Sequence, residues 1–294
     1  MHVVETIEAL RIVRRQLQGR VGLVPTMGAL HEGHLSLVQT AKAENDCVVV
    51  TIFVNPTQFG PNEDFAAYPR DLPRDLAMLE HLGVDLVVTP TPALMYPPGF
   101  QTYIDVEHVS QGLEGERRPG HFRGVATIVA KLFNLTQPDS AYFGQKDAQQ
   151  VAVLRTLVHD LNFPLDLQVM PTLREASGLA LSSRNSYLTS HERQAAPVLF
   201  RALQTAGETY AAGNTHPDAL RKVMLDVLNT EPLARVDYVS VADARTLRES
   251  DDEGKAPFLL SMAVRLGHTR LIDNMLVPLE LNTRKGLQET LGAG

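Results

Sequence analysis

The chain has 294 residues, 44% hydrophobic and 21% charged, a balance that fits a folded globular protein and excludes a disordered or fibrous one. At ~150 residues per domain the length suggests two domains. Twenty-seven Lys and Arg against 34 Asp and Glu leave a net charge of −7, so nothing global draws the chain to nucleic acid or to an anionic membrane surface.

A single cysteine, Cys47, excludes an internal disulfide and, beside an apolar run, reads as a small buried hydrophobe. No stretch reaches the ~18 apolar residues of a spanning helix, and the first residues lack the basic-then-apolar pattern of a secretory leader. A cytoplasmic setting is expected.

Residues 21–24 form a short apolar run ended by Pro25, and a helical pattern follows over 34–43. Residues 47–54 are almost continuously apolar and β-branched, as a strand buried on both faces would be. Helix is expected over 71–82, strand over 84–88, helix over 121–135, strand over 141–143, helix over 147–161 and strand over 165–170. Strands alternating with helices of this length predict βαβ units and a doubly wound, Rossmann-like parallel sheet. Beyond Pro171 the rhythm changes. Amphipathic helices are expected over 191–212 and 217–228, and strands over 236–241, 258–266 and 270–274. The reading is a domain over 1–175, a smaller α+β domain over 176–282, and a tail over 283–294 without core pattern, expected to be mobile.

Four segments carry polar chemistry. Pro25, Thr26, Met27, Gly28, Ala29, Leu30, His31, Glu32, Gly33 and His34 link a strand to a helix, where doubly wound sheets bind ligands. Glycines there allow close backbone approach, and the helix N-terminus offers N–H groups to an anion. His31 and His34, three apart, fall on one side of a turn. A zinc-protease motif needs four-residue spacing and a third ligand, so zinc is disfavoured; a helix cap is the plain alternative. Gly144, Gln145, Lys146 and Asp147 form a second junction, with a tight turn, a flexible cation and a carboxylate that caps a helix or sits in a metal's outer shell. Leu181, Ser182, Ser183 and Arg184 read as phosphate donors on a loop, or as a solvated loop. Asn55 and Gln58 stand just past the buried strand, where neutral amides suit a small polar substrate. Arg117, Arg118 and Arg123 open the helix over 121–135, and a solvated basic loop is the default for such a run.

In this order the segments 24–38, 52–70, 118–135, 143–150, 178–188 and 271–274 resemble the pantoate–β-alanine ligase family, among the nucleotidyltransferases that carry His-x-Gly-His. The resemblance implies a Rossmann-like domain with a smaller lid domain, a homodimer, and Mg²⁺ held mainly through ATP phosphates. It implies that ATP and (R)-pantoate form a pantoyl adenylate and pyrophosphate, and that β-alanine then gives pantothenate and AMP.

Carried over residue by residue, it assigns residues 25–34, Gly144, Gln145, Lys146, Asp147, Leu173, Leu181, Ser182, Ser183 and Arg184 to ATP, with Leu173 backbone at the adenine. His34, His31, Lys146, Arg184 and Ser182 are the expected catalytic groups, and Gln58, Gln150, Asn55 and Met27 are expected to hold pantoate and β-alanine. Gln145, Ala148 and Ser177 depart from residues frequent in the family. Two other readings share parts of the pattern: a nucleotidyltransferase that releases a dinucleotide, and a silent nucleotide binder. The amides at 55, 58 and 150 favour a small acid over the first, and the presence of His34, Lys146 and Arg184 speaks against the second.

Overall fold

The computed structural model describes residues 1–61, 63–251 and 257–292. The chain divides into two compact units, Met1–Phe143 with Val153–Gln168, and Gly144–Ala152 with Val169–Gly294. This division differs from a single break after residue 175, because the short stretch Gly144–Ala152 groups with the second unit.

The first unit is built on strands β1 (His2–Val4), β2 (Val21–Thr26), β3 (Cys47–Ile52), β4 (Leu86–Val88), β5 (Ser140–Gly144) and β6 (Asp166–Met170). They form one sheet in the order β1-β4-β3-β2-β5-β6, with β1–β4, β4–β3, β3–β2 and β2–β5 paired in parallel. Connections run through helices α1 (Ile7–Arg14), α2 (Glu32–Glu44), α3 (Leu72–His81), α4 (Pro92–Met95), α5 (Leu113–Arg117), α6 (His121–Thr136) and α7 (Ala148–Asp160). Strand order runs one way from β2 to β4 and the other way from β5, which makes β2/β5 the topological switch point. The apolar runs at Val21, Leu23, Val24 and Val48–Val50 are fully buried, as a strand covered by helices on both faces must be.

The strand expected to stop at Pro25 continues to Thr26. Its β5 neighbour pairs only with Gly22 and Leu23, so Pro25 lies where β2 is paired on one side, and a residue without N–H is tolerated there. Cys47 is half-buried rather than buried, its thiol donating to the Gln18 carbonyl at 3.4 Å. β1 and α1 are not legible as elements in the sequence. β1 has three residues, of which only Val4 is buried.

In the second unit, β7 (Ala234–Asp243), β8 (Phe258–Leu266) and β9 (Thr269–Val277) form an antiparallel sheet. Helices α8 (Ser190–Ala195), α9 (Val198–Ala211) and α10 (Pro217–Leu228) precede it. Leu199, Leu203, Leu220 and Met224 from α9 and α10 join Val241, Leu260, Met262 and Val264 in one apolar core. The single helix expected over 191–212 is two, because Pro197 has no N–H for the helical ladder and restarts it at Val198. The expected tail instead holds helix α11 (Arg284–Thr290), with Leu287 and Leu291 fully buried; residues 293 and 294 lie outside the described residues.

Candidate active site

Helix α2 begins at Glu32, two residues earlier than the periodicity suggests, because His31 is its N-cap. The His31 Nδ1 accepts the Gly33 N–H at 3.2 Å, and the His34 Nδ1 accepts the His31 N–H at 3.4 Å. A neutral imidazole that accepts at Nδ1 carries its proton on Nε2, so these bonds fix both rings as Nε2–H donors. The ring centroids are 4.1 Å apart, which brings the two donors onto one side of the helix end.

The loop before this helix is held from outside. Gly28 and Ala29 both have positive φ, +81° and +50°, a conformation disfavoured for alanine. The Asp75 carboxylate, 1% exposed, accepts the Ala29 and Leu30 N–H groups at 2.9 and 2.8 Å. Burial pushes its pKa above the usual carboxylate value, against the pull of those two bonds. The Gly28 N–H bonds to Thr26 Oγ1, and the His34 N–H to the His31 carbonyl.

The backbone donors expected to meet an anion are thus largely used within the loop, and the imidazoles are the groups it presents. Leu30, expected among the nucleotide contacts, is 1% exposed and belongs to the core. Sequence reasoning misses Asp75, since one aspartate in an amphipathic helix shows no sign of a backbone partner far away in sequence.

Asn55 and Gln58 bracket a short 3-10 turn, Pro56–Gln58. Asn55 is 1% exposed, and its Nδ2 donates to Gln58 Oε1 at 3.0 Å and to the Gly124 carbonyl at 3.2 Å. Its Oδ1 accepts the Tyr96 hydroxyl at 2.8 Å. Asn55 therefore stands behind Gln58 and orients it, rather than facing a ligand as expected.

Gln58 donates to the Met27 sulfur at 3.2 Å, a weak acceptor that a ligand oxygen would replace readily. Its carbonyl accepts the Nδ1–H of His121 at 2.8 Å, while Arg118 donates to His121 Nε2 at 3.1 Å. Burial, then the adjacent Arg118 charge, lowers the His121 pKa to about 4. Arg118 forms a two-pronged pair with Glu63 at 2.7 and 2.8 Å, so it belongs to a half-buried network and not to a solvated loop. Met27 and Gly28 also border a cavity of about 260 Å³ with Phe53, Arg70, Asp75 and Thr89; Gln58 does not line it.

The remaining expected residues lie in the second unit. Gly144 precedes a 3-10 turn, Gln145–Asp147, that runs directly into α7. Gly144 stands at the cap position of the turn, which has no side-chain cap bond, and Asp147 directly precedes α7. Lys146 is half-buried and Asp147 exposed, and Gln150 is half-buried on the first turn of α7. Leu173 is exposed, and its carbonyl accepts the Leu181 N–H at 2.9 Å, closing a hairpin. Ser182 caps a short 3-10 helix, Ser183–Tyr187, its Oγ accepting the Arg184 N–H at 3.3 Å. Among the described residues no group of three or more His, Cys, Asp or Glu converges as a metal site.

A doubly wound parallel sheet with paired imidazole donors opening the helix after its switch-point strand defines an α/β enzyme of the nucleotide-binding class. A family model described as Pantoate-beta-alanine ligase matches residues 2–276. The chain is 60% identical over 277 residues to the pantothenate synthetase of Herpetosiphon aurantiacus, covering 94% of this chain and 100% of that protein. The crystal structure of pantothenate synthetase from Thermus thermophilus superposes with a TM-score of 0.89 at 47% identity, covering 94% of this chain and 99% of the other. Pantoate-beta-alanine ligase from Francisella tularensis, complexed with Beta-gamma ATP and β-alanine, gives 0.79 at 36% identity over 94% and 97% of the two chains. The chain belongs to the pantoate–β-alanine ligase family, enzymes that condense pantoate with β-alanine in an ATP-dependent reaction.

Proposed function

We propose that the reaction runs through a pantoyl adenylate and that the residues singled out above divide the work. The pantoate carboxylate attacks the α-phosphorus of ATP and pyrophosphate leaves. The β-alanine amine then attacks the acyl carbon, AMP leaves, and the amine proton is lost to give the amide of pantothenate. No protein nucleophile is needed, so the enzyme's contribution is positioning, charge stabilisation and exclusion of water from a hydrolysable anhydride.

His34, assisted by His31, donates hydrogen bonds to phosphate oxygens whose charge grows in the transition state. Lys146, Ser182, Ser183 and Arg184 serve the triphosphate, and Leu173 backbone serves the adenine. Gln58 and Gln150 hold pantoate, with Met27 beside Gln58. The observation that carries this reading is the His31–His34 pair, in which both Nδ1 atoms accept backbone N–H groups and both Nε2–H groups are thereby set as donors.

Mg²⁺ would arrive with the ATP phosphates and neutralise their charge. Asp147, exposed next to Lys146, suits the outer shell of such an ion. We further propose a homodimer working in the cytoplasm, in keeping with a single free cysteine; no helix among the described residues is long and apolar enough to cross a membrane.

The test is pyrophosphate release with ATP, Mg²⁺ and pantoate, with and without β-alanine, measured together with AMP and pantothenate. Matched AMP and pantothenate that require both acids support the adenylate route. Pyrophosphate release only with a different acceptor, and none with pantoate, would sink it.

A further inference from the structure

The segment 271–274 takes part in the family pattern, yet none of the roles above uses it. It is part of β9, and its last two residues are both buried, Asp273 at 3% and Asn274 at 4% exposure. Successive side chains on a strand point to opposite sides, so two adjacent buried polar residues can reach two different pieces of chain.

Asp273 takes the Arg174 guanidinium in a two-pronged pair at 2.6 and 2.8 Å. Arg174 also donates to the Gly178 carbonyl at 3.2 Å and lies over the Phe200 ring, 4.0 Å from its centroid. The hairpin that carries Leu173 and leads into Ser182 is thereby fixed at its base. Asn274 Nδ2 donates to the Gln145 carbonyl at 3.1 Å and to the Lys146 carbonyl at 2.8 Å. The same turn is gripped from a second side, where the Gln145 side chain donates to Asn282 Oδ1 at 2.9 Å.

We infer that Asp273 and Asn274 are positioning residues for the nucleotide, one holding the Leu173 hairpin and the other holding the backbone from which Lys146 projects. This rests on the assignment of those two segments to ATP proposed above. The turn Gln145–Asp147 has no side-chain cap of its own, so the Asn274 amide supplies a fastening that the local sequence lacks. Asn274 is also not placed for its own satisfaction: its Oδ1 is buried without a hydrogen-bond partner. A buried polar group left half-satisfied is tolerated where its other half serves a site. The Arg174–Asp273 pair, with side chains 15% and 3% exposed, fits the same logic, since buried ion pairs fix geometry more dependably than they add stability.

The experiment compares the full-length enzyme with Asn274→Ala, which removes both donors, and Asn274→Asp, which keeps the volume but turns an oxygen toward two carbonyls. The readouts are the Kd for ATP with Mg²⁺ by calorimetry, the KM for ATP and for pantoate in pyrophosphate release, and the melting temperature. A phosphate-binding group misplaced by an ångström loses on the order of tenfold to a hundredfold. The expected result is a rise of that size in the Kd and KM for ATP, with the KM for pantoate at saturating ATP changed by less than about twofold. A residue needed only for the fold would instead lower the melting temperature and the active fraction while leaving the KM for ATP where it was. ATP affinity within about twofold of the unsubstituted enzyme in either folded variant overturns the inference, and so does failure of both variants to fold. If the unsubstituted enzyme binds no ATP, the nucleotide assignment itself has failed, which is a separate result.

Discussion

Asp75 Oδ1 accepts the backbone N–H of Leu30 at 2.8 Å across 45 residues of sequence, and its second oxygen accepts the neighbouring Ala29 N–H at 2.9 Å. Both carboxylate oxygens thus hold the loop that sets the two histidines. Asp75→Asn keeps the shape but offers one acceptor and turns an N–H toward a backbone N–H. The expected outcome is a loss of about 1–3 kcal/mol in unfolding free energy. Adenylation should fall about tenfold or more, as when a binding group loses the contact that supports it. Urea unfolding and pyrophosphate release measure the two. Full activity in the Asn variant would show that the loop holds its geometry unaided.

On the roles proposed for them, His34→Ala and Lys146→Ala each remove a donor to the phosphates, and each should lower adenylate formation by about 10²-fold or more with the fold intact. His31→Ala removes a helix cap as well, so a stability loss of about 1 kcal/mol should accompany its drop in rate. Single-turnover formation of the adenylate, read beside far-UV circular dichroism, separates the two effects. Near-native turnover in the His34 or Lys146 variant would refute that role.

The amides at 55 and 58 should respond differently. Gln58→Ala gives up a weak bond to the Met27 sulfur and one of the two acceptors of Asn55 Nδ2, so the KM for pantoate should rise with a smaller loss of stability than Asn55→Ala brings. Asn55→Ala removes the acceptor that the Tyr96 hydroxyl and Thr57 share and the donor to Gln58 Oε1 and the Gly124 carbonyl. It should weaken pantoate binding and also destabilise the protein by about 1–3 kcal/mol. Equal stability of the two variants would contradict the distinction between a contact and its support.

His121 makes stability depend on pH. Its folded pKa of about 4 lies below the ordinary 6.5, so between those values the unfolded chain takes up a proton that the folded one refuses. The contribution is fully present above pH 6.5 and is lost as pH falls toward 4. Between pH 8 and pH 5 the loss is about 2 kcal/mol. His121→Asn, whose amide can still donate to the Gln58 carbonyl, should flatten this slope in urea titrations at pH 8, 6 and 5. An unchanged slope would assign the acid sensitivity elsewhere.

What can be read from sequence follows the range of the interactions. His31 and His34 are visible because three-residue spacing puts them on one helical turn, and β2 and β3 because strands covered on both faces must be apolar throughout. The position of Asp75 is not visible. Its partners are main-chain groups, which carry no residue identity, and they lie 45 and 46 residues away. Arg118 reads as solvated because its neighbours in sequence are basic and polar. Its partner Glu63 is 55 residues distant, and only folding brings them together. The roles of His31 and Asn55 show the same limit at short range, since the residue type is informative and the direction of its hydrogen bonds is not.

The chain passes from one unit to the other at 143/144, at 152/153 and again at 168/169. A shortened polypeptide ending near residue 175 would therefore keep Gly144–Ala152 and discard most of the unit it is grouped with. Exchange of the smaller unit between relatives would have to carry two separate stretches of gene at once. Inheritance of the turn Gln145–Asp147 is in this way tied to inheritance of β9, whose Asn274 holds it, although a long stretch of coding sequence lies between them.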